Sequence, residues 1–325
     1  MSDVTVVIPM RDVAPWIADA IASIPRPAGR TLEILCVDDG STDDTLSVIE
    51  GLGEPRVRVL QSTGSGISTA RNTGIEAASG ETILFLDADD MYRGEGIAAL
   101  LEALDDHPDC GVVFGLAGFV REDLSRIVVP RPQTLDGRMN DHILQGKFTH
   151  IALGAYRRAV FDEVGFFRPF FVTAQDMDLH LRLAERVEMT QVPIHVLDCR
   201  IRGSSISRTD SKARRDWYVE KALAFSAERR ETGRDALMRG EVPSEPDFKG
   251  ARRVDDAATM ELRLLLARAW KELADGATAT AWGLLGSTLS RRAYLARANP
   301  EKARLAFKLF RIELGRAFGA SSRRC

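Results

Sequence analysis

The sequence has little cysteine. Only four are present in 325 residues, at Cys36, Cys110, Cys199 and Cys325. Their spacing matches neither a zinc site nor a disulfide framework, which favours a reducing compartment. The sequence also lacks an apolar run near the roughly 18 residues of a membrane-spanning helix. No basic segment precedes the first apolar stretch, as a secretory signal would require. We therefore expect a cytoplasmic protein.

An excess of charge of one sign is also missing, because the net charge is only −3. Nucleic-acid-binding proteins are typically basic, so we expect no nucleic-acid partner. The charge is unevenly distributed, however. Residues 287–325 hold ten lysines and arginines against two glutamates, a net charge of +8 that leaves −11 on the rest of the chain. The length and the 45% hydrophobic content suit one large domain with an appendage, or two domains.

Short apolar runs alternate with helical patterns over residues 4–90. The runs VTVVIP, LEILCVDD, VRVLQ and TILFLDADD are typical of strands buried on both faces. The segments PWIADAIASI, DDTLSVIEGL and ISTARNTGIEAA between them are typical of helices. This alternation predicts an α/β fold with a doubly wound, mostly parallel sheet. Ligands of such sheets bind beyond the carboxyl ends of the strands.

Acidic side chains follow three of these four strands, at the edge where a ligand is expected. Carboxylates gathered at one edge repel each other, and a divalent cation is the simplest way to stabilise them. Two carboxylates two residues apart on an extended segment point the same way and can share one Mg²⁺ or Mn²⁺, whose other ligands are usually substrate phosphates. The sequence therefore predicts a metal site. The acidic residues are Asp12, Asp38, Asp39, Asp87, Asp89 and Asp90.

The segment VRVLQSTGSGISTARNTGI supports a competing interpretation. Gly64 and Gly66 lie between a strand and a helix, and Asp87 follows about twenty residues later, as in a dinucleotide-binding fingerprint. The third glycine position does not match, because Thr69 and Ala70 stand around it. The strand is also the third of the sheet instead of the first. A loop that leads into a helix explains these glycines better than a nicotinamide site.

Five segments, taken in order, resemble the family 2 glycosyltransferases of the GT-A fold. They are VVIPMRD, VDDGSTDDT, GISTARNTGI, GETILFLDADD and AQDMDLHLRL, and the resemblance covers residues 4–210. It implies transfer of a sugar from a nucleotide diphosphate donor, with a UDP-sugar expected, to an acceptor hydroxyl with inversion at the anomeric carbon. It also implies Mn²⁺ or Mg²⁺ as cofactor. The implied acceptor is a saccharide or lipid-linked molecule of cell-envelope polysaccharide or glycolipid synthesis.

The resemblance also implies roles for individual residues. Asp176 matches the base that accepts the proton of the attacking hydroxyl, and Asp89 matches the metal ligand. The structural alternative is preferred for Asp38, Asp43 and Asp44, since GSTDDT is typical of a helix N-terminus capped by Ser41 or Thr42. The implied nucleotide contacts are Pro9 and Asp12 at the pocket floor, Asp39 at a uracil-type base, Asp87 near the ribose, and Arg71.

The chain departs from the family pattern at two positions. Gln175 stands where a glutamate is common. Arg200 and Arg202 stand where the family often has Arg-x-His, so Arg202 replaces the histidine. Arginine cannot ligate a metal but can grip phosphate oxygens, so Arg202 is expected to bind the diphosphate, with an ordinary basic loop as the alternative. Asp178 is expected to be an architectural partner within a helix.

The segment FTHIALGAYRRAVFDEVGFF resembles the acceptor-side segment of the family, and we expect a short helix over Tyr156 to Gly165 in it. The histidines show no ligand spacing, and the sequence gives no role to His142, His150 or His180.

Beyond about residue 208 the resemblance ends and helical patterns follow. We expect a catalytic domain over residues 1–212 and a helical extension over 213–325. In the last predicted helix Phe307, Phe310, Leu314 and Phe318 form one stripe, with basic residues largely elsewhere. Such a helix suits an anionic membrane surface at the inner face of the membrane, or packing on the catalytic domain or on a second subunit of a homo-oligomer. Both interpretations stay open.

Two rival functions belong to other classes. A nucleotidyltransferase also places acids on an α/β sheet, but a glycine-rich basic loop is expected at its first strand, and VVIPMRDVAPW has none. A non-catalytic nucleotide-sugar-binding or scaffold protein is kept open by Gln175 and Arg202.

Overall fold

The structure is a computed structural model that describes residues 3–128, 137–147, 149–202, 211–248 and 277–289, with 261, 264, 265, 268, 269 and 272. Its contacts divide the chain into two compact units. The larger unit comprises Met1–Gly118, Val129–Arg200 and Asp210–Arg252, and the smaller comprises Phe119–Val128, Ile201–Thr209 and Arg253–Cys325. The boundary predicted at residue 212 stays a prediction.

The larger unit is built on a mixed sheet whose strands follow the order β3-β2-β1-β4-β8-β6-β9-β5. Its strands are β1 (Val4–Met10), β2 (Leu32–Asp38), β3 (Val57–Gln61), β4 (Thr82–Phe85), β5 (Met91–Tyr92), β6 (Cys110–Arg121), β8 (Gly154–Arg157) and β9 (Glu188–Ile201), with β7 (Arg126–Val128) off this path. Its helices are α1 (Ile17–Ala22), α2 (Thr45–Leu52), α3 (Ile67–Ala77), α4 (Gly96–Asp106), α5 (Met139–Leu144), α6 (Ala159–Val164), α7 (Gln175–Ala184) and α8 (Lys212–Thr232).

The α/β fold predicted from the sequence is confirmed, and the parallel pairing holds for β3, β2, β1 and β4. All seven residues of β1 are buried, as expected for a strand covered on both faces. In the register of these strands Met10 lies beside Asp38, which lies beside Gln61. The residues that follow them therefore meet at one edge of the sheet. Among the remaining pairs, β4 with β8, β8 with β6, β6 with β7 and β9 with β5 are antiparallel.

The helix expected over Tyr156–Gly165 begins later than predicted. Tyr156 belongs to β8, where it pairs with Ile83 on one side and Val112 on the other, and α6 starts at Ala159. The pairing places the Tyr156 ring among Phe85 and Phe161 in the core. Two neighbouring strands thus outweigh the local helical pattern.

Helix α3 lies unusually close to the sheet because of one glycine. A Cβ on Gly74 would lie 2.3 Å from Cγ1 of Val7 in β1, which is shorter than any real contact. Side chains of α3 also hold the segment before α7. Asn72 donates to the carbonyl of Phe167 at 2.8 Å and accepts from its N–H at 2.9 Å, and Ser68 donates to the Phe171 carbonyl at 3.2 Å.

A buried network of alternating charges joins α7 to α8. Asp178, which is fully buried, accepts from Arg168 at 3.0 Å and from Arg182 at 3.1 Å. Arg168 also donates to Asp235 at 2.7 Å, and Arg229 of α8 forms an ion pair with the same carboxylate. The architectural role predicted for Asp178 is therefore confirmed.

In the smaller unit, β7 pairs with the last residues of β6. Ile201 and Leu265 form a small buried cluster, and Arg121 donates to Glu261 at 2.6 Å. Beyond residue 260, the described residues 261, 264, 265, 268, 269 and 272 are helical, and α9 spans Thr278–Leu289. The last predicted helix and most of the basic segment lie outside the described residues. Within the described part of the chain, no helix is long and apolar enough to cross a membrane.

Candidate active site

The loop after β2 is organised by Asp12. Its carboxylate accepts hydrogen bonds from the N–H of Thr42 at 2.7 Å, the hydroxyl of Thr42 at 3.1 Å and the N–H of Asp43 at 3.3 Å. The bond from the Thr42 N–H is the main reason why the pKa of Asp12 lies below its usual value. Asp12 itself has a φ of 51° in the left-handed region. The structure thus shows Asp12 shaping the rim, and its contact with a nucleotide stays a prediction.

The N-terminus of α2 is not capped as the sequence predicts. Ser41 accepts from the Asp12 N–H at 3.1 Å, and the Thr42 hydroxyl donates to Asp12. The first helical N–H, that of Thr45, is instead bound by the carboxylate of Asp43 at 3.0 Å. The prediction that Ser41 or Thr42 caps the helix is therefore wrong, because Asp12 engages both residues first.

Asp39 links two loops of the rim. Both oxygens of its carboxylate accept from the Gly66 N–H, at 2.9 and 3.0 Å. Gly66 has a φ of 98°, which residues with a side chain rarely adopt, so the turn into α3 needs a glycine. Pro9 is buried in β1 beside Val37. The two predicted nucleotide residues therefore lie at the carboxyl ends of adjacent strands, as the fold class requires.

Asp87, just after β4, is gripped from two sides. Arg71 of α3 donates to its Oδ1 at 2.9 Å, and Nε2 of His150 lies 3.4 Å from its Oδ2. Burial raises the pKa of Asp87, but the two neighbouring cations outweigh it and leave the pKa below its usual value. Arg71 is only 2% exposed and stacks over Phe167, with 5.3 Å between guanidinium and ring centroid. Asp87 is therefore ionised and fixed in place.

Arg200 of β9 anchors the acidic segment after Asp87. Its backbone N–H donates to the carboxylate of Asp90 at 2.8 Å, and its Nε donates to the carbonyl of Asp89 at 3.0 Å. Its Nη2 reaches Asp19 of α1 at 2.9 Å. Burial, and then the charges of Asp89 and Asp87, raise the pKa of Asp90 well above its usual value.

Asp176 lies in the first turn of α7 and is 7% exposed. Burial raises its pKa, while the charges of His150 and Arg71 oppose the shift. The residue two positions before it, Ala174, has a φ of 57°, a backbone conformation that is strained for alanine. Asp176 is therefore within electrostatic range of Asp87, His150 and Arg71.

The structure thus brings together three residues predicted from the sequence, Arg71, Asp87 and Asp176. It adds His150, to which sequence analysis gave no role. His150 is 63 positions from Asp87 and belongs to no ligand pattern, so no sequence signal pointed to it. Arg202 is buried in the smaller unit, and its diphosphate contact stays a prediction.

The residues present suit a divalent cation. Ligand atoms of Asp87, Asp90 and His150 lie within 4.8 Å of one another, and Asp89 lies between the two aspartates in the chain. Burial raises the pKa of Asp90 most, followed by the charges of Asp89 and Asp87, and a bound cation would offset those charges. Carboxylate oxygens are the ligands that Mg²⁺ and Mn²⁺ prefer. The predicted ligand Asp89 stays a prediction.

Comparison with known proteins gives a consistent result. The model of glycosyl transferase family 2 matches residues 5–165. The uncharacterised protein y4gI of Sinorhizobium fredii is 30% identical over 195 residues, which are 58% of this chain and 21% of that protein. The chain thus spans about a fifth of that relative's length. The uncharacterised glycosyltransferase EpsJ of Bacillus subtilis is 28% identical over 234 residues, 67% of each chain.

Among solved structures, the fold is similar to that of S. aureus TarS 1-349 in complex with UDP-GlcNAc. The TM-score is 0.58 at 18% identity, over 82% of this chain and 80% of that chain. At this identity the similarity shows the fold, which is of the GT-A type. The match to the family model and the similarity to a glycosyltransferase define the class as that of a glycosyltransferase. The chain belongs, through residues 5–165, to glycosyl transferase family 2.

Proposed function

We propose that the chain transfers a sugar from a UDP-sugar to an acceptor hydroxyl with inversion, using Mn²⁺ or Mg²⁺. The observation that carries this proposal is the convergence of Asp87, Asp90 and Asp176 with Arg71 at the carboxyl edge of the parallel strands. Family membership supports sugar transfer, and TarS, whose fold is similar, was solved with UDP-GlcNAc.

The acidic segment is suited to holding the diphosphate through a cation. A bound Mn²⁺ or Mg²⁺, with Asp89 as the proposed ligand, would neutralise the charge that develops on the leaving nucleoside diphosphate. Arg200 supports this role because it fixes both the carbonyl of Asp89 and the carboxylate of Asp90. The chain's own contribution is therefore a rigid acidic segment.

Asp176 is the proposed general base. Inversion requires a base on the side of the sugar opposite the leaving group. A buried carboxylate with a raised pKa accepts a proton more readily than an exposed one, and the pKa of Asp176 is raised by burial. Asn72 and Ser68, which fasten the segment 167–171 ahead of α7, help to fix its position.

Arg71 is the proposed nucleotide contact with the strongest structural support. Its Nε and Nη1 are buried without a hydrogen-bond partner in the described part of the chain. Buried donors are normally paired, so two donors are left for a bound ligand. We include Pro9, Asp12 and Asp39 in the proposed nucleotide site on the resemblance and on their places in the fold. We include Arg202 because an arginine can grip phosphate oxygens.

The proposed acceptor is a saccharide or lipid-linked molecule of cell-envelope synthesis, which follows from the family resemblance. Action at the inner face of the membrane would place the enzyme beside such an acceptor. An anionic membrane surface and a second subunit are the two proposed partners of the basic C-terminal segment.

A screen of nucleotide sugars tests the proposal without a known acceptor, because water can replace the acceptor in slow hydrolysis. A UDP-sugar should raise the melting temperature only when Mn²⁺ or Mg²⁺ is present, and should be hydrolysed slowly. Metal-dependent stabilisation with no hydrolysis by the wild type would favour a non-catalytic binding protein. Release of pyrophosphate from a nucleoside triphosphate would favour a nucleotidyltransferase.

A further inference from the structure

His150 lies between a backbone donor and a carboxylate. Its Nδ1 accepts the N–H of Ala152 at 3.3 Å, in the first turn of the 3₁₀ helix Ile151–Leu153. Its Nε2, on the other side of the ring, lies 3.4 Å from Oδ2 of Asp87. The two ring nitrogens therefore face partners of opposite kind.

These partners determine where the ring proton lies. A neutral imidazole has one nitrogen with a proton and one without, and an N–H donor must face the nitrogen without it. Because the Ala152 N–H faces Nδ1, the proton of the neutral ring is on Nε2. A ring protonated on both nitrogens carries a proton on Nε2 as well. Nε2 is therefore a donor in either charge state.

A metal ligand needs the opposite arrangement. Binding through Nε2 would require that nitrogen to be bare and would move the proton to Nδ1, against the Ala152 N–H. Ala152 is fully buried, so its N–H would then lose the acceptor that it has in the structure. An unpaired buried N–H is unfavourable. His150 lies close enough to Asp87 and Asp90 to share a cation with them, but the hydrogen bond from the Ala152 N–H to Nδ1 opposes ligation through Nε2.

We infer that His150 is a hydrogen-bond donor that positions Asp87, and that it does not ligate the cation of this site. Arg71 donates to Oδ1 of Asp87 at 2.9 Å, and Nε2 of His150 lies 3.4 Å from Oδ2, so each oxygen of the carboxylate faces its own partner. A cation bound here would then meet only oxygen ligands from this cluster, which would favour Mg²⁺ or Mn²⁺ over metals that prefer imidazole. The cation itself rests on the proposed function, whereas the position of the ring proton does not.

Nuclear magnetic resonance of the ring nitrogens tests the proton position directly. The full chain, labelled with ¹⁵N-histidine and free of metal and nucleotide, is recorded by long-range ¹H–¹⁵N correlation. His150 should show a protonated Nε2, and addition of Mg²⁺ with UDP should leave it protonated. A bare Nε2 in either state would overturn the inference.

The signals of His150 are assigned by comparison with His150→Gln, whose spectrum lacks the signals of that one histidine. The chain has five histidines, so single variants of the other four assign His150 by elimination if that variant does not fold. These four are His107, His142, His180 and His195.

Metal preference provides an independent test. Calorimetry with Zn²⁺ alone and with Mn²⁺ alone gives the ratio of the two affinities. This ratio is measured for the wild type and for His150→Gln, which keeps an N–H where Nε2 was. The ratios of the two proteins should agree within about threefold, because imidazole contributes no ligand. A tenfold or larger loss of Zn²⁺ preference in His150→Gln would overturn the inference. His142→Gln is the matched control, since His142 lies on α5 and contacts Lys147.

Binding of UDP with Mn²⁺ completes the set. His150→Leu removes the donor and should weaken binding about tenfold, whereas His150→Gln should restore most of it. Equal losses in both variants would contradict the donor role. If the wild type binds neither metal nor UDP, the proposed function fails, while the resonance measurement still decides the proton position.

Discussion

Arg229 of α8 grips Glu185, the residue that ends α7, through two parallel hydrogen bonds of 2.8 Å each. Both side chains are almost completely buried. A planar guanidinium matches a carboxylate in this two-point geometry better than a lysine could. The same guanidinium pairs with Asp235, so one side chain of α8 neutralises two buried acids. Helix α8 is thereby fastened to the helix that carries the proposed base.

Replacing Arg229 by methionine should therefore destabilise the fold strongly. The variant leaves Glu185 without its two-point partner, and removal of one member of a buried ion pair costs about 3–5 kcal/mol. Urea unfolding of Arg229→Met should show a loss of this size in the free energy of unfolding. Arg230→Met, at an exposed position on the same helix, should change it by less than about 0.5 kcal/mol. Similar losses in both variants would mean that the network contributes little.

The stability of the fold should also depend on His180. Burial lowers the pKa of this histidine from 6.5 to about 3, and the charges of His150 and Arg71 act in the same direction. Between these two values the unfolded chain binds a proton that the folded chain does not, so stability falls as the pH falls, by up to about 1.4 kcal/mol per pH unit.

His180→Phe should remove this contribution. Its free energy of unfolding is measured in urea from pH 7 to pH 4. The slope of this free energy against pH should be smaller than in the wild type by up to the equivalent of one proton. His142→Gln, at a partly exposed position, serves as control and should retain the wild-type slope. An unchanged slope in His180→Phe would show that other groups cause the acid sensitivity.

Asp89→Asn should abolish the metal-dependent part of nucleoside diphosphate binding. The substitution removes the charge of the proposed ligand, so metal and phosphate are poorly held. Calorimetry with UDP, with and without Mn²⁺, measures this part as a difference. Asp109→Asn, on the exposed surface beyond α4, is the matched control. Titrations of Asp89→Asn that match the wild type with and without Mn²⁺ would rule out the metal assignment.

Asp176→Asn should separate binding from catalysis. The amide keeps the size of the side chain but cannot accept the proton, and a general base contributes roughly 10²–10⁴-fold to the rate. Hydrolysis of the UDP-sugar should fall by this factor while the affinity for the donor stays nearly the same. If the affinity collapses together with the rate, or if the rate survives, Asp176 is not the base.

Arg202→Ala should weaken binding of UDP more than binding of uridine, because an arginine grips phosphate oxygens. Arg202→His should restore part of the activity and add a pH dependence near 6.5, where a histidine titrates and an arginine does not. Calorimetry with uridine and with UDP on wild type and variants compares the two ligands. Equal losses would mean that Arg202 supports a loop, and no loss would mean that it takes no part in nucleotide binding.

The parallel half of the sheet could be predicted because its strands are short runs rich in apolar residues. The expectation that VRVLQ is buried on both faces is wrong, because β3 lies at the end of the strand order and none of its residues is fully buried. The strand β8 could not be predicted, because GAYR is short and lies in a segment with a helical pattern. Its pairing with Ile83 and Val112 depends on residues about 40 to 70 positions away. Local propensity contains no information about such partners.

The candidate site likewise contains some residues that the sequence could predict and others that it could not. Asp87 and Asp176 lie in segments whose residues resemble a known family, so both were found from the sequence. His150 lies 3.4 Å from Asp87, and Arg200 donates two hydrogen bonds to the Asp89–Asp90 segment, so both act on residues distant in the chain. Spacing along the chain cannot show such contacts. The cap of α2 was missed for the same reason, because Asp12 comes from another strand.

The left-handed conformation of Ala174 costs stability but limits the freedom of the backbone next to the proposed base. An alanine with a φ of 57° is about 1 kcal/mol less favourable than a glycine there, and its carbonyl accepts the Asp178 N–H at 3.2 Å as α7 begins. Glycine would relieve the strain but would also free the backbone next to the proposed base. Selection for heat resistance would therefore favour glycine at residue 174, whereas selection for turnover would favour alanine.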